Sequence, residues 1–276
     1  MPLLSVICGA YNIASEPVAE QSIESLLAQS FRDFEIIICN DGSTDATDEL
    51  LCRYAKQDSR IKIIKNEKNR GLAYSLNKCL SLANGSYIAR HDFDDISLST
   101  RFEKQIYYLE EHGDIDILGT AVALFDEKGI FDEEYFPALV MAEDFLYTSP
   151  YKHGTVVFRR GVLLSAGGYR VAPETIRTED YELFMRMCAM GYKGANLMEI
   201  LYLFKEDTAA KSRRKYKYRI DEARVRARGF FALGLMPRGI PYVIKPLIVG
   251  LMPRALITHV QRKRREKGRK YGYEEI

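Results

Sequence analysis

The chain has 276 residues and an apolar share of 47%, enough for one large domain or two modest ones with a buried core. Its five cysteines (Cys8, Cys39, Cys52, Cys79 and Cys188) are odd in number, widely spaced and never arranged as Cys-x-x-Cys. That speaks against a zinc site or a disulfide framework and for reduced thiols in a cytosolic setting. The net charge of +2 hides an asymmetry: from Lys205 onward there are 20 Lys and Arg against 7 Asp and Glu, and before it 20 against 31. An acidic body therefore carries a basic tail, which bears on partners and not on fold.

The first eight residues lack a basic n-region and a cleavage site, so they are expected to form a first strand and not a signal peptide. Over the first hundred residues, strand and helix patterns then alternate. Short apolar runs at 4–8, 34–39, 61–65 and 87–89 predict strands. Apolar residues at helical spacing predict helices over 16–28, 44–56 and 71–83. This alternation predicts an α/β fold with a mainly parallel sheet covered on both faces. Right-handed crossovers place the loops after the strands along one edge.

Those loops carry the polar residues: Gly9-Ala10-Tyr11-Asn12, Asn40-Asp41-Gly42-Ser43-Thr44-Asp45, Asn66-Glu67-Lys68-Asn69-Arg70-Gly71, and Arg90-His91-Asp92-Phe93-Asp94-Asp95. Each alone is explained by turn chemistry, and Asp45 by a helix-start charge. No Gly-x-Gly-x-x-Gly follows a strand and no Gly-x-x-x-x-Gly-Lys-Ser/Thr occurs, so a dinucleotide fold and a P-loop both lack support. In the last loop three carboxylates crowd the carboxyl end of a strand, where open α/β sheets bind ligands. In an extended segment Asp92 and Asp94 face one side, with Phe93 turned away. Such a pair of hard oxygen donors suits Mg²⁺ or Mn²⁺ carrying a diphosphate, although a solvated acidic turn capping the next helix is the plainer alternative.

Taken in order and spacing, Ser5-Val6-Ile7, Tyr11-Asn12, the run from Ser22 into Ser30-Phe31, Asn40 to Asp45, Asn69-Arg70-Gly71, Gly85 with Tyr87-Ile88-Ala89, and Arg90 to Asp95 resemble glycosyltransferase family 2, the inverting nucleotide-sugar enzymes of GT-A fold. The resemblance departs at Asn40, where the family has Asp. It implies that Asp41 hydrogen-bonds the nucleotide base, that Ala10 and Tyr11 line the base pocket, and that Asp92 and Asp94 hold the metal on the diphosphate. For Arg70 and Arg90 it implies a place near the diphosphate, and a structural ion pair explains either residue equally well.

Further along, 100–112 predicts an amphipathic helix, 115–125 a strand, 131–137 an acidic and aromatic surface loop, and Gly167-Gly168-Tyr169 a tight turn with a packed ring. His153 is open to two readings, a strand-end histidine held by a hydrogen bond or a group facing acceptor or phosphates. In Thr178-Glu179-Asp180, Thr178 is a plausible N-cap and the acids fall in a first helical turn, where they complement the dipole without any function. The resemblance instead implies that Glu179-Asp180 is the family's second acidic motif, with Asp180 the general base. Many relatives have a His after the next strand, 200–204; here Lys205-Glu206-Asp207 stand there, so Asp207 or water is left to complete a metal shell, or Lys205 to meet the diphosphate.

The tail, from Lys211 on, predicts a basic helix and then an apolar segment broken by Pro237, Pro241, Pro246 and Pro253, with no stretch of the ~20 residues that span a bilayer. An anionic membrane surface and simple packing on the body are the two readings, and without a nucleic-acid motif no nucleic-acid partner is expected. The expectation is thus a GT-A catalytic domain over 1–205, with a nucleotide-binding half at 1–100 and an acceptor half at 101–205, and a basic helical tail over 206–276. The expected chemistry is sugar transfer from a nucleoside-diphosphate sugar, a UDP-sugar first, to a saccharide or lipid-linked saccharide hydroxyl, at the cytoplasmic face of a membrane. A sugar nucleotidyltransferase and a non-catalytic nucleotide-sugar-binding or membrane-organising protein are the alternatives, the former lacking a Gly-rich basic loop after the first strand.

Overall fold

The computed structural model describes residues 1–206 and 216–251. Strand β1 (Leu4–Ala10) sits mid-sheet, parallel to β2 (Phe34–Asn40) on one side and to β4 (Tyr87–Arg90) on the other, and β3 (Ile61–Lys65) continues beyond β2 in the same direction. Side chains alternate across these strands. Leu4, Val6, Cys8, Ile36 and Ile38 enter one core, which α1 (Ala19–Leu27), α2 (Thr47–Gln57) and α4 (Arg101–Glu111) cover with Ile23, Leu51 and Phe102. Ile7, Ile37 and Cys39 enter the opposite core, covered by α3 (Leu72–Leu82) with Leu76, Cys79 and Leu80. The sheet is buried on both faces, as its near-continuous apolar strands require.

Beyond β4 the sheet becomes mixed. Antiparallel β9 (Val157–Arg159) joins β4 to β6 (Ile117–Asp126), and β10 (Gly194–Lys205) runs parallel to β6. Two antiparallel steps restore the direction, so β1, β2, β4, β6 and β10 all end on one edge. The two-residue strand β5 (Ile96–Ser97) pairs with β10, as does β8 (Leu139–Val140). The surface loop expected over 131–137 is corrected: β7 (Gly129–Glu134) pairs antiparallel with β6 through Val122–Asp126. Its acidic residues hid it, because an edge strand buries little of either face.

Helix α5 (Arg160–Ser165) follows β9, and α6 (Glu179–Ala189) buries Leu183, Phe184 and Met187 as its spacing predicts. In the tail, α7 (Tyr216–Ala232) packs along α6 and the tail's Val225, Phe230 and Leu235 join the core of α3 and α6. Arg226 Nη1 donates to the Leu146 carbonyl at 3.3 Å, and Arg228 pairs with Glu174 at 2.8 Å. Helix α8 (Ile240–Leu251) folds back on α7. No helix among the described residues is long and apolar enough to cross a membrane. Asp207, the start of the basic run at Lys211 and everything after Leu251 lie outside the described residues.

Candidate active site

The β1 and β2 loops are tied together. Asn12, at a left-handed φ of 53°, accepts the Thr44 N–H on Oδ1 at 2.9 Å, and its own N–H donates to Ser43 Oγ at 3.0 Å. Tyr11 is 49% exposed on this edge, open to a planar ligand, whereas Ala10 is buried and its carbonyl accepts the Asp41 N–H at 2.8 Å. Asp41 is buried and already engaged: Oδ1 accepts from Asn66 Nδ2 at 2.7 Å and the Arg70 N–H at 2.8 Å, and Oδ2 from the Gly71 N–H at 2.8 Å. It therefore fixes the loop after β3, with a lone pair left on Oδ2. Gly42 next to it has φ 68°, and a Cβ there would stand 2.5 Å from the Lys68 carbonyl carbon. Arg70 is exposed, its guanidinium 4.6 Å from the Tyr74 ring centroid.

Asp92 and Asp94 do not lie on an extended segment. They belong to a turn in which the Asp95 N–H donates to the Asp92 carbonyl at 3.2 Å, and Ser22 Oγ donates to the same carbonyl at 3.2 Å. Phe93 does point inward and is buried. Arg90 is fully buried and pairs with the Asp92 carboxylate, so an ion pair, not a place at the surface, accounts for it. His91 is also buried, between Ser22 Oγ at 2.8 Å and Ser97 Oγ at 3.1 Å. Burial, then the Arg101 and Arg90 charges, hold its pKa well below the ordinary value, so it is a neutral spacer. Asp94 is open to solvent on one side, yet the protein packed against it, and then Asp92, push its carboxyl up to about 6. Asp95 is buried and accepts the Lys205 N–H at 2.8 Å, while Lys205 Nζ pairs with Glu16 at 3.0 Å.

The second acidic segment begins α6. Thr178 stands at the N-cap, but its hydroxyl makes no capping bond and donates instead to the Glu174 carbonyl at 3.5 Å. Asp180 Oδ1 accepts the Tyr181 N–H at 2.8 Å. Burial, and then Asp180, push the Glu179 carboxyl up to about 7. Both segments lie within electrostatic reach of the Tyr169 hydroxyl. Burial raises its hydroxyl above the ordinary range, Arg90 opposes this, and Asp180, Asp92 and Glu179 add to it. Charges more than eighty residues apart in sequence thus act on one oxygen. His153 Nε2 shares a 2.8 Å hydrogen bond with that oxygen; the residue is half-buried and kept neutral, and it opens a single 3-10 turn (His153–Thr155) ahead of β9 instead of ending a strand. Asn77 fixes the turn before it, accepting the Tyr169 N–H at 2.8 Å and donating to its carbonyl at 2.7 Å; Gly167 and Gly168 both have positive φ. From the other side the Asp92 N–H donates to Tyr202 Oη at 3.3 Å. A Cβ at Gly154 would meet that oxygen at 2.4 Å.

Two carboxylates on one turn, one of them raised by burial and then by the other's charge, are a donor set that a hard divalent cation relieves, with diphosphate oxygens and water filling the remaining positions. Among the described residues no group of three or more His, Cys, Asp or Glu gathers to hold an ion without such outside ligands.

The sequence model of glycosyl transferase family 2 matches residues 5–171, well over half the chain. The chain belongs to glycosyl transferase family 2. Among family members it is 40% identical to EpsE of Bacillus subtilis, named as a glycosyltransferase, over 95% of this chain and 94% of that protein. It is 33% identical to the amylovoran biosynthesis glycosyltransferase AmsE of Erwinia amylovora, over 72% of this chain and 74% of the other. Solved structures of the same fold include S. aureus TarS 1-349 in complex with UDP-GlcNAc, with a TM-score of 0.68 at 19% identity over 88% of this chain and 74% of that one. The mannosyltransferase PcManGT from Pyrobaculum calidifontis, in complex with GDP-Man and Mn2+, superimposes with a TM-score of 0.62 at 17% identity over 95% of this chain and 80% of the other. The protein is therefore a glycosyltransferase of GT-A fold.

Within this family 2 chain, Tyr202 and Asn77 had no sequence signal. Each acts through a contact more than ninety residues away, and neither type nor spacing marks it.

Proposed function

We propose that the protein transfers a sugar, with inversion, from a nucleoside-diphosphate sugar to a hydroxyl of a saccharide acceptor. The observation that supports this reading is that the Asp92 turn and the Glu179-Asp180 helix start both lie within electrostatic reach of the buried Tyr169 hydroxyl. Tyr11 and the loop that Asp41 pins receive the nucleotide, with Ala10 beneath and Arg70 at the rim. Asp92 and Asp94 hold Mg²⁺ or Mn²⁺ against the diphosphate; when bound, such a cation offsets the negative charge gathering on the leaving group. Asp180 takes the proton from the acceptor hydroxyl as its oxygen attacks the anomeric carbon from the face opposite the diphosphate. Glu179, held near neutrality beside it, keeps a second full charge from crowding the base. Buried Arg90 and neutral His91 keep the Asp92 turn in place.

The UDP-GlcNAc and UDP complexes of TarS favour a UDP-sugar as donor, and the Mn2+ in PcManGT supports the cation. A relative 29% identical over 82% of this chain is the UDP-Glc:alpha-D-GlcNAc-diphosphoundecaprenol beta-1,3-glucosyltransferase WfaP, which supports a lipid-linked saccharide as acceptor. Residues 1–100 then serve the nucleotide, 101–205 the acceptor, and the basic 206–276 holds the enzyme to the cytoplasmic face of the membrane.

Donor consumption, followed with a panel of nucleoside-diphosphate sugars, tests the reading. Asp180→Asn should lower turnover by about 10²–10⁴-fold with donor binding retained, and a chelator should remove wild-type activity. Near-normal turnover in Asp180→Asn would mean that the base lies elsewhere, and activity untouched by chelation would remove the cation.

A further inference from the structure

We infer that one face of α8 is the surface by which this protein lies on an anionic lipid bilayer. The proposal deepens the membrane contact stated above and is independent of the transfer chemistry.

Helix α8 is apolar nearly all round, a composition expected of a helix with partners on every side. Among the described residues only one side has them. Tyr242 meets Tyr147 edge-on at 5.3 Å between ring centroids, Val243 packs against the core, and Pro246 is buried. The other side carries Ile240, Ile244, Ile248 and Leu251, which are 46%, 43%, 57% and 74% exposed. Steps of four, four and three put these side chains in one line along the helix. Phe231, near the turn into this helix, is 79% exposed.

Charge selects the occupant. Between Glu222 and Glu266 the sequence contains no Asp or Glu, against ten Lys and Arg; Arg224, Arg226 and Arg228 pair with Asp221, Glu222 and Glu174, which leaves seven others, and Arg238 is exposed just before the helix begins. A second copy docked face to face would bring the same cations together, whereas anionic headgroups would neutralise them. The acidic body is repelled by the same headgroups, so the tail side alone faces the lipid. With 12 residues the helix is about 18 Å long, too short to span a hydrocarbon core of ~30 Å but long enough to lie at its boundary with the isoleucines inserted.

The sequence contains no Trp, so Ile248→Trp in the full-length protein makes a single reporter on this line. With phosphatidylglycerol-rich vesicles its emission should shift to shorter wavelength and be quenched by lipids brominated on the acyl chains, and phosphatidylcholine vesicles should give far less of either. Wild-type protein should sediment with the anionic vesicles. Ile244→Ser/Ile248→Ser, checked for an unchanged thermal midpoint, should lose roughly tenfold or more of that binding. If the wild type does not sediment, the membrane contact itself fails. If it sediments while the Trp neither shifts nor is quenched, or the double variant binds as well as wild type, the contact lies elsewhere on the chain. Emission already blue-shifted without vesicles means that another protein surface covers the line, and overturns the proposal.

Discussion

Glu179 and Asp180 are adjacent acids at one helix start, and burial bears on the Glu179 carboxyl. The Glu179 carboxyl titrates at about 7, against an ordinary value of 4.5. An acid whose pKa is raised on folding binds more protons folded than unfolded between those two values. Stability therefore falls as pH rises from about 4.5 to about 7 and stays reduced above. Glu179→Gln, which cannot ionise, should lose that part of the slope. Its thermal midpoint should gain on wild type at pH 8 relative to pH 5, by an amount on the order of 2 kcal/mol in stability. Parallel pH profiles for the two proteins would show that the Glu179 carboxyl has the same pKa folded and unfolded. The types of these two residues and their place at a helix start were legible in the sequence. The rise in Glu179 was not, because it depends on what α6 packs against.

Among the elements, strands and helices in the first hundred residues were legible within a few residues, since apolar alternation and helical spacing are local properties. Two segments were not. Strand β7 buries too little to leave an apolar pattern. The Asp92 turn is set by Ser22, seventy residues earlier, and by Tyr202, 110 residues later, so alternation within the segment could not reveal it. The loop after β2 shows the same dependence on distant partners. Asp41 pins the loop after β3, and the missing side chain of Gly42 lets the Lys68 backbone approach. Gly42→Ala should cost about 1–3 kcal/mol from its positive φ and the displaced loop, and should weaken donor binding more than it lowers turnover at saturating donor. Thermal unfolding and a donor titration check both effects. Unchanged donor affinity would separate this loop from the nucleotide.

Across the whole molecule, charge divides the chain near Lys205, but packing does not. The tail's Val225, Phe230 and Leu235 are buried in the same core as α6, the helix that begins with Glu179 and Asp180. Each such side chain is worth about 1.5–3 kcal/mol when buried, so the three together approach the entire stability of an ordinary domain, about 5–15 kcal/mol. A chain ended at residue 206 should therefore unfold well below the full-length protein and lose its activity with vesicles absent. If the 206-residue chain is as stable as the full-length protein, α7 contributes nothing to the core it enters. The segment that looks most like a detachable appendage in its composition is, mechanically, the back wall behind the start of α6, where the proposed general base stands. Variation selected there for a new membrane or partner would be felt in the rate of sugar transfer, and anchoring and turnover would evolve as one trait.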